Sequence, residues 1–175
     1  MKRAAPAKAR RRKSSRSSAA AVIVRKAAKK DIPAVATLNM EMMRFHEARD
    51  RAFRMAPGAK AKQAAHKTRA LRRRDARLAV AEENGRVIGF CLSILIARPP
   101  IYVEPRAVQI LDMCVTARCR RRGVGHLLFE DVMKWAKSRR VKRLEVTFAP
   151  SNEISSRFWP GLGFKTFTER GYLEI

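Results

Sequence analysis

Three arginines stand directly before two glycines in the stretch CRRRGVGHLL, residues 119–128, and an apolar run of helical character follows them. The N-terminus of a helix offers unpaired backbone N–H groups and the positive end of the helix dipole, so it binds anions without particular side chains. Glycines at such a turn let the backbone approach the anion closely. The stretch predicts a phosphate site, while a nucleic-acid contact and a solvated basic turn fit the same letters.

Two common nucleotide-binding loops do not fit this spacing. A P-loop needs Gly-Lys followed by Ser or Thr, and the dinucleotide-binding fingerprint needs G-x-G-x-x-G early in the chain. Neither pattern is present around residues 119–128, which lie late in the sequence. The context of the turn must therefore decide what it binds.

The segments around the turn predict a strand, a glycine turn and a helix in succession. AVQILDMCV, residues 107–115, is typical of a buried strand, and Leu128, Val132 and Trp135 mark one face of a helix from Val124 to about Arg140. Further upstream, Asn84-Gly85 separates two apolar runs. This dipeptide predicts a tight hairpin turn, because both residues tolerate positive φ.

The remaining segments complete an alternating order of elements, β, α, α, β, β, β, α, β, α, β. We expect a helix that is capped by Asp31 and runs to about Asp50, and a surface helix between residues 57 and 77. The last helix should stop at Pro160, because proline lacks a backbone N–H. GFKTFTERGYLEI, residues 163–175, should supply one or two closing strands.

Six pieces of the chain, in this order and spacing, resemble the GNAT superfamily of N-acetyltransferases over roughly residues 22–168. Arg120, Gly123 and Gly125 look like the acetyl-CoA signature of that family, and the other pieces are KKDIPAVATL, HEARD, VAEENGRVIGF, ILDMCV and NEISSRFWPGLGF. The resemblance implies an α/β fold with a mixed, mostly antiparallel sheet. This sheet would be flanked by helices and splayed between its fourth and fifth strands, with acetyl-CoA as co-substrate.

The resemblance also implies which residues bind acetyl-CoA. Backbone groups of Met113, Cys114 and Val115 would bind the pantetheine arm, and Asn152 would contact the same arm, although a helix cap is an alternative role for it. The pyrophosphate would be bound by the N–H groups of Arg121, Arg122, Gly123, Val124, Gly125 and His126. Of the three arginines only Arg120 stands at the position of the motif, so the side chains of the other two would add general attraction.

The chain departs from the family at two catalytic positions. Trp159 stands where many members have an acidic tyrosine, and Leu111 stands where many have a glutamate. An indole N–H is no acid at neutral pH, so we expect Trp159 to form a wall for the thioester. Asp112 and Glu145 are candidate replacement bases, although both also fit structural roles. His46 is a candidate for the substrate mouth, ahead of His66 and His126.

Three functions remain open at this stage. The first is an acetyl-CoA-dependent N-acetyltransferase in which a primary amine of a small molecule or peptide attacks directly in a ternary complex. The second is a catalytically silent acyl-CoA-binding module, suggested by Trp159 and Leu111. The third is a basic protein that associates with nucleic acid, suggested by the charge.

The charge of the chain restricts its partners. The sequence has 40 Lys and Arg against 15 Asp and Glu, a formal charge of +25, which favours anionic partners. Residues 1–20 hold no acid and little apolar surface, so we expect a disordered basic tail followed by one acetyltransferase domain, residues 21–175. An anionic partner for the tail, such as nucleic acid or the ribosome, and a homodimer are left open.

Further expectations concern the compartment, the metal and the substrate. No apolar run is long enough for a membrane span, and the spacing of the three cysteines fits neither a metal site nor a disulfide framework. We therefore expect a cytoplasmic protein without a metal. A cationic substrate would be repelled unless acids around the mouth form a local patch, for which the candidates are Glu41, Glu47, Asp50 and Glu104.

Overall fold

The computed structural model describes residues 21–174, so the predicted tail lies outside the described residues. The described part is one α/β unit with five strands and four longer helices. The strands are β1 (Ile23–Lys26), β2 (Ala76–Glu83), β3 (Arg86–Ala97), β4 (Arg106–Val115) and β5 (Leu144–Val146). The helices are α1 (Ile32–Glu47), α2 (Ala59–Arg72), α3 (Val124–Ser138) and α4 (Glu153–Gly161).

The five strands form a single sheet in the order β1-β2-β3-β4-β5. The first four are antiparallel neighbours, and β5 alone runs parallel to its neighbour β4. The pairing of β4 with β5 is confined to three residue pairs, Val108 with Leu144 through Ile110 with Val146. Beyond Ile110 the two strands separate, which confirms the predicted mixed sheet and its splay.

The hairpin between β2 and β3 turns where the sequence predicts. Asn84 and Gly85 have φ values of 50° and 73°, and Glu83 pairs with Arg86 across the turn. Both residues adopt the left-handed conformation that a two-residue hairpin requires.

The helices cover both faces of the sheet. On one face α1 and α2 bury Val35, Leu38 and Ala70 against Leu78 and Phe90 of the two central strands. The opposite face packs against α3 and α4, through residues that include Leu128, Val132, Trp135 and Trp159. The apolar stripe of α3 is therefore the one that the sequence predicts.

A bulge in β4 changes which face its side chains occupy. The register with β3 shifts between Leu92 and Ser93, which pair with Asp112 and Ile110, so Leu111 is the extra residue. Ile110 packs on the α3 side, whereas Cys114 packs on the side of α1 and α2. Because side chains alternate along a strand, the bulge places Asp112 on the face of Cys114, beneath α1 and α2.

Two expectations at the first helix are corrected. Asp31 precedes α1, but its carboxylate does not cap the helix. It accepts hydrogen bonds from the Ala28 N–H at 2.7 Å and from the Arg25 guanidinium at 2.7 and 3.0 Å. The charged partner on β1 outcompetes the helix N–H groups, because ionised donors form the stronger bonds. The helix ends at Glu47 rather than near Asp50.

Two expectations near the C-terminus are wrong. Pro160 does not stop α4, which includes it and ends at Gly161, because a proline in the last turn removes only one helical hydrogen bond. No strand forms between residues 163 and 174, most of which are exposed. The neighbouring strand β5 has only three residues, so it offers little edge for pairing.

Candidate functional site

The turn between β4 and α3 presents a run of free backbone donors. The Arg120 N–H bonds to the Ala117 carbonyl at 3.3 Å, and the Leu127 N–H bonds to the Gly123 carbonyl at 3.1 Å. Between them, the N–H groups of residues 121–126 have no acceptor within the described residues. Six consecutive donors at the start of a 15-residue helix form a site suited to a polyphosphate. We call residues 121–126 the cradle.

The two glycines of the cradle are needed for different structural reasons. Gly123 is the residue before α3 and has a φ of 78°, a conformation that costs a residue with a side chain about 1–2 kcal/mol. Gly125 lies against α4, where an added Cβ would stand 3.2 Å from the Phe158 ring. The first glycine shapes the turn, and the second allows α3 and α4 to approach closely.

Two of the three arginines at positions 120–122 are engaged by the protein itself. The Arg120 Nε donates to the Val115 carbonyl at 3.0 Å, and its Nη2 lies 3.7 Å from Glu41. The Arg122 guanidinium forms an ion pair with Glu83 at the end of β2, at 2.5 Å. Arg121 is exposed. The donors available at the cradle are therefore chiefly backbone groups.

Glu41 of α1 holds the end of β4 in place. Its carboxylate accepts from the Ala117 N–H at 2.8 Å and from the Thr116 hydroxyl at 3.0 Å. Sequence reasoning missed this role, and it missed the partnership of Glu83 with Arg122. No local pattern marks either carboxylate, because each contact joins residues far apart in the chain.

The splay exposes one edge of β4. From residue 111 to Val115 the strand pairs with β3 only and has no partner on the side of β5. This edge contains Met113, Cys114 and Val115, and it leads directly into the turn before the cradle. The Cys114 thiol donates to the Leu38 carbonyl at 3.4 Å, and burial raises its pKa to about 12. The Cys114 thiol therefore serves in packing, and the groups of this edge that remain accessible to a ligand are backbone groups.

Neither predicted replacement base is free of a cation. Asp112 forms an ion pair with Lys67 of α2, whose side chain is fully buried. Glu145 accepts from Arg143 at 2.6 Å and lies 3.2 Å from Arg98. Both carboxylates are thus engaged in ion pairs within the protein, and neither is left free to contact a substrate amine.

Asn152 joins the start of α4 to the end of α1. Its side-chain oxygen accepts from the N–H groups of Ile154 and Ser155, both at 3.2 Å, so it is a helix cap. Its amide nitrogen lies 3.5 Å from the Nε2 atom of His46. The structure thus brings together two residues that the sequence identifies separately, one for the cofactor arm and one for the substrate mouth.

His46 offers an imidazole, a group that can accept a proton, whereas Asp112 and Glu145 are paired with cations. Its ring packs 4.8 Å from the Phe53 ring, and its buried Nδ1 has no hydrogen-bond partner within residues 21–174. Burial lowers the pKa of His46 below its ordinary value, and Arg49 adds to this effect, whereas Asp112 opposes it. The ring is therefore neutral at pH 7 and able to accept a proton.

Trp159 lies in an aromatic cluster on the other side of the splay. It is 5% exposed, and its ring centroid lies 4.9 Å from Phe158 and 5.4 Å from Phe164. The cluster continues to the cradle, because Phe158 also packs against His126 at 5.5 Å. A buried indole in this position can act as a wall and supplies no proton.

Three of the four acids that the sequence suggests for a patch at the substrate mouth accept hydrogen bonds from the protein backbone. Glu47 accepts from the Met55 N–H at 3.0 Å and Asp50 accepts from the Ala52 N–H at 2.9 Å, while Glu41 holds the β4 turn.

In the part of the chain that the structure describes, no three His, Cys, Asp or Glu side chains are placed to hold a metal ion. None of the described helices is long and apolar enough to cross a membrane.

Comparison with known proteins agrees with this architecture. The model of the Acetyltransferase (GNAT) family matches residues 34–164. A tetramutant of the BH1408 protein from Bacillus halodurans has a TM-score of 0.78 at 24% identity, with 87% of this chain and 99% of that chain covered. No curated protein matches the sequence significantly.

Two further solved structures contain the coenzyme. An aminoglycoside N-acetyltransferase, AAC(6')-Iy, in complex with CoA has a TM-score of 0.73 at 18% identity, with 89% of this chain and 95% of that chain covered. A predicted acetyltransferase from Clostridium acetobutylicum with acetyl-CoA has a TM-score of 0.70 at 19% identity, with 88% and 96% covered. At these identities the likeness concerns the fold.

Proposed function

The chain belongs to the acetyltransferase (GNAT) family, and we propose that it transfers the acetyl group of acetyl-CoA to the nitrogen of a primary amine. The amine attacks directly within a ternary complex. The observation that carries the proposal is the cradle, whose six consecutive N–H groups have no acceptor among the described residues. The first N–H groups of any helix lack an intrahelical acceptor, and here the left-handed residues Arg121 and Gly123 extend the run of donors into the turn before α3. Six donors at the positive end of a helix favour a polyphosphate ligand.

The residues present fit acetyl-CoA along a continuous path. The cradle binds the pyrophosphate, and the open edge of β4 at Met113, Cys114 and Val115 binds the extended arm by strand-like hydrogen bonds. The amide of Asn152 faces the same splay from α4. Bound acetyl-CoA supplies an activated acyl carbonyl, and the protein supplies the orientation and the N–H donors that stabilise developing negative charge.

The base in this proposal is His46. An ammonium group does not attack a carbonyl, so the acceptor must lose a proton before or during the reaction. Asp112 and Glu145 are paired with cations, whereas the imidazole of His46 is neutral because burial lowers its pKa. The Asn152 amide nitrogen can only donate, so its 3.5 Å contact identifies Nε2 as the unprotonated nitrogen of the ring. The acceptor amine takes the place of this amide, and its proton passes to Nε2 as the carbon–nitrogen bond forms.

No acid is required on the side of the leaving group. A thiol of ordinary pKa, about 8.5, departs as thiolate with a modest penalty near neutral pH. Trp159, which replaces the tyrosine of many relatives, therefore serves as a wall between the splay and the aromatic cluster. Excluding water at this point protects the thioester from hydrolysis.

The class of amine that accepts the acetyl group follows from two properties, the weakness of the proposed base His46 and the net charge of the chain. An α-amine has a pKa of about 7.7–8.0 and a lysine side chain about 10.4, so a far larger fraction of the α-amine is neutral at pH 7. The net charge of +25 disfavours polycationic acceptors such as aminoglycosides. We therefore place peptide or amino-acid α-amines ahead of aminoglycosides, for which the acetyltransferase with the similar fold is named.

A panel assay tests the proposed reaction. Release of free CoA thiol is measured with acetyl-CoA and a set of amines that includes peptides with free and blocked N-termini, a polyamine and an aminoglycoside. We expect release with free N-termini and little with blocked ones, and heat-denatured protein is the control. Equal rates on free and blocked peptides would exclude the α-amine assignment while leaving acetyl transfer intact.

A second candidate function is a catalytically silent acyl-CoA-binding module. It is favoured by Trp159 and Leu111, which occupy the positions of two catalytic side chains in many relatives. Calorimetric titration with CoA, combined with the thiol-release assay, decides between the two candidates. Tight CoA binding without thiol release from any amine of the panel would establish the silent module, and failure to bind CoA would exclude both.

A further inference from the structure

The ends of two helices and the turns after them carry six basic side chains at one end of the molecule. Arg72 and Arg74 lie at the end of α2 and in its turn, and Lys137, Arg139, Arg140 and Lys142 lie at the end of α3 and after it. We call these six residues the distal basic cluster. We propose that this cluster is a docking surface for the phosphate backbone of a nucleic acid, separate from the acetyl-CoA site.

The two turns are held together by a direct contact. Nη2 of Arg139 donates to the backbone carbonyl of Arg74 at 2.8 Å, which fixes the turn after α3 against the turn before β2. All six side chains are exposed. None of them lies within 4.0 Å of a carboxylate in residues 21–174, because the nearby Asp75 is paired with Arg73 and Asp131 with Arg77.

The position of the cluster separates it from the cradle. The cradle lies at the N-terminus of α3 and the second turn at its C-terminus, about 22 Å apart at 1.5 Å per residue. Phosphates bound at one end therefore leave the other end free. The two ends also use different donors, since the cradle offers backbone N–H groups and the cluster offers guanidinium and ammonium groups.

The cluster is equally separate from the point where residues 1–20 join the fold. Strand β1 begins at Ile23, which pairs with Glu82 near the far end of β2, whereas Arg74 directly precedes the start of β2 at Ala76. Six residues of strand correspond to about 20 Å. The basic N-terminal segment and the distal basic cluster are thus two distinct cationic features that substitutions can separate.

The chemistry of the cluster favours a polyphosphate chain over a membrane. Four of its six members are arginines, whose planar guanidinium groups bind phosphate oxygens in pairs. None of the large apolar side chains exposed in residues 21–174 belongs to the cluster, and the one next to it, Phe167, packs on Arg143. Peripheral membrane segments combine basic residues with apolar anchors, and the cluster has none.

A charge-reversal variant tests the proposal on the full chain. In R74E/R139E/K142E three exposed cluster residues change sign, and the matched control K60E/K62E/K165E makes the same change of charge at exposed residues outside the cluster. The probes are a 20-base-pair RNA duplex and the DNA duplex of the same sequence, measured by fluorescence anisotropy between 50 and 200 mM salt. Vesicles with and without phosphatidylserine form a separate arm.

We expect the cluster variant to lose at least tenfold in affinity for both duplexes and to show a salt slope that is lower by about 2 to 3, while the control loses less than threefold. CoA affinity should be unchanged in both variants, so the result is independent of the proposed enzymatic function. Thermal unfolding verifies that both variants fold, and R74Q/R139Q/K142Q replaces the reversal variant if it does not.

Other outcomes would overturn the proposal. Equal losses in the cluster variant and in the control would assign binding to the overall charge. Unchanged affinity in the cluster variant would assign it to another part of the chain. Tighter binding to phosphatidylserine vesicles than to either duplex, lost in the cluster variant alone, would identify a membrane surface instead.

Discussion

The two sides of the open edge of β4 are built in different ways. On the side that we propose for the cofactor, the cradle consists of backbone N–H groups, and Arg120 and Arg122 are engaged with Val115 and Glu83. On the side that we propose for the acceptor, under α1 and α2, the polar groups are side chains, above all Lys67, Asp112 and His46. A backbone site depends on conformation, and a side-chain site depends on each residue that forms it. On the first side, substitutions that change the backbone conformation should have the larger effect. On the second side, the replacement of single side chains should have the larger effect.

The largest effect is expected on the acceptor side, at His46. His46→Gln should lower kcat by about 100-fold or more, the usual contribution of a positioned base, while CoA affinity stays within twofold. His66→Gln, at the half-buried histidine of α2, is the matched control and should retain activity. Steady-state kinetics and CoA titration measure both quantities. Full activity of the His46 variant would remove the imidazole from the mechanism.

The pH dependence sharpens the same prediction. Burial lowers the pKa of His46 below 6.5, so the neutral, proton-accepting form persists to lower pH than for an ordinary histidine. The rate should fall only as the pH drops through this lowered value, and the acid limb of kcat should therefore have its midpoint below pH 6.5. The limb should be absent from the residual activity of His46→Gln.

The next effect concerns stability on the acceptor side. Lys67→Met removes the cation from Asp112 and should lower the free energy of unfolding by about 2–3 kcal/mol, somewhat less than for a fully buried pair because the Asp112 side chain is 20% exposed. The double variant Lys67→Met/Asp112→Leu should recover most of this loss. Urea unfolding measures both. A loss below about 0.5 kcal/mol in the single variant would show that the pair contributes little.

A smaller but diagnostic effect is expected in the cradle. Gly123→Val places a β-branched side chain at a φ of 78° and should weaken CoA binding about 30-fold, since about 2 kcal/mol corresponds to that factor. Calorimetric titration measures the change. The fold should survive, because a Cβ at this position meets no atom within 4 Å.

The smallest effect is expected for Arg122→Ala. The guanidinium is paired with Glu83 rather than free to bind the cofactor, and a surface ion pair contributes little. CoA affinity should change less than threefold. A larger loss from Arg122→Ala than from Gly123→Val would reverse the comparison and make the cofactor side a side-chain site as well.

The sequence predicts the parts of the molecule that depend on local patterns. Asn84-Gly85 specifies its turn through φ alone, and the order of strand, glycine turn and helix at residues 107–140 places the cradle. The pairing of Lys67 with Asp112 joins residues 45 positions apart, and that of Arg122 with Glu83 joins residues 39 apart. No local pattern contains such contacts, because they depend on how helices pack on the sheet.

The wrong sequence predictions have the same origin, namely contacts between residues far apart in the chain. Asp31 carries the pattern of a helix cap, yet Arg25 of β1 takes its carboxylate. The sequence predicts one or two closing strands in residues 163–175, yet β5 offers only three residues for pairing. The bulge at Leu111 also could not be read from the sequence, and it decides that Asp112 lies under α2. Tertiary contacts override local preference at each of these positions.

The central claim is that backbone N–H groups bind the pyrophosphate, and amide chemical shifts test it directly. The protein is labelled with nitrogen-15 and titrated with CoA, and the backbone amides of residues 121–126 are followed by NMR. We predict that these six resonances shift the most and gain protection from solvent exchange. Unchanged amides at residues 121–126, with the large shifts confined to arginine side chains, would contradict the account.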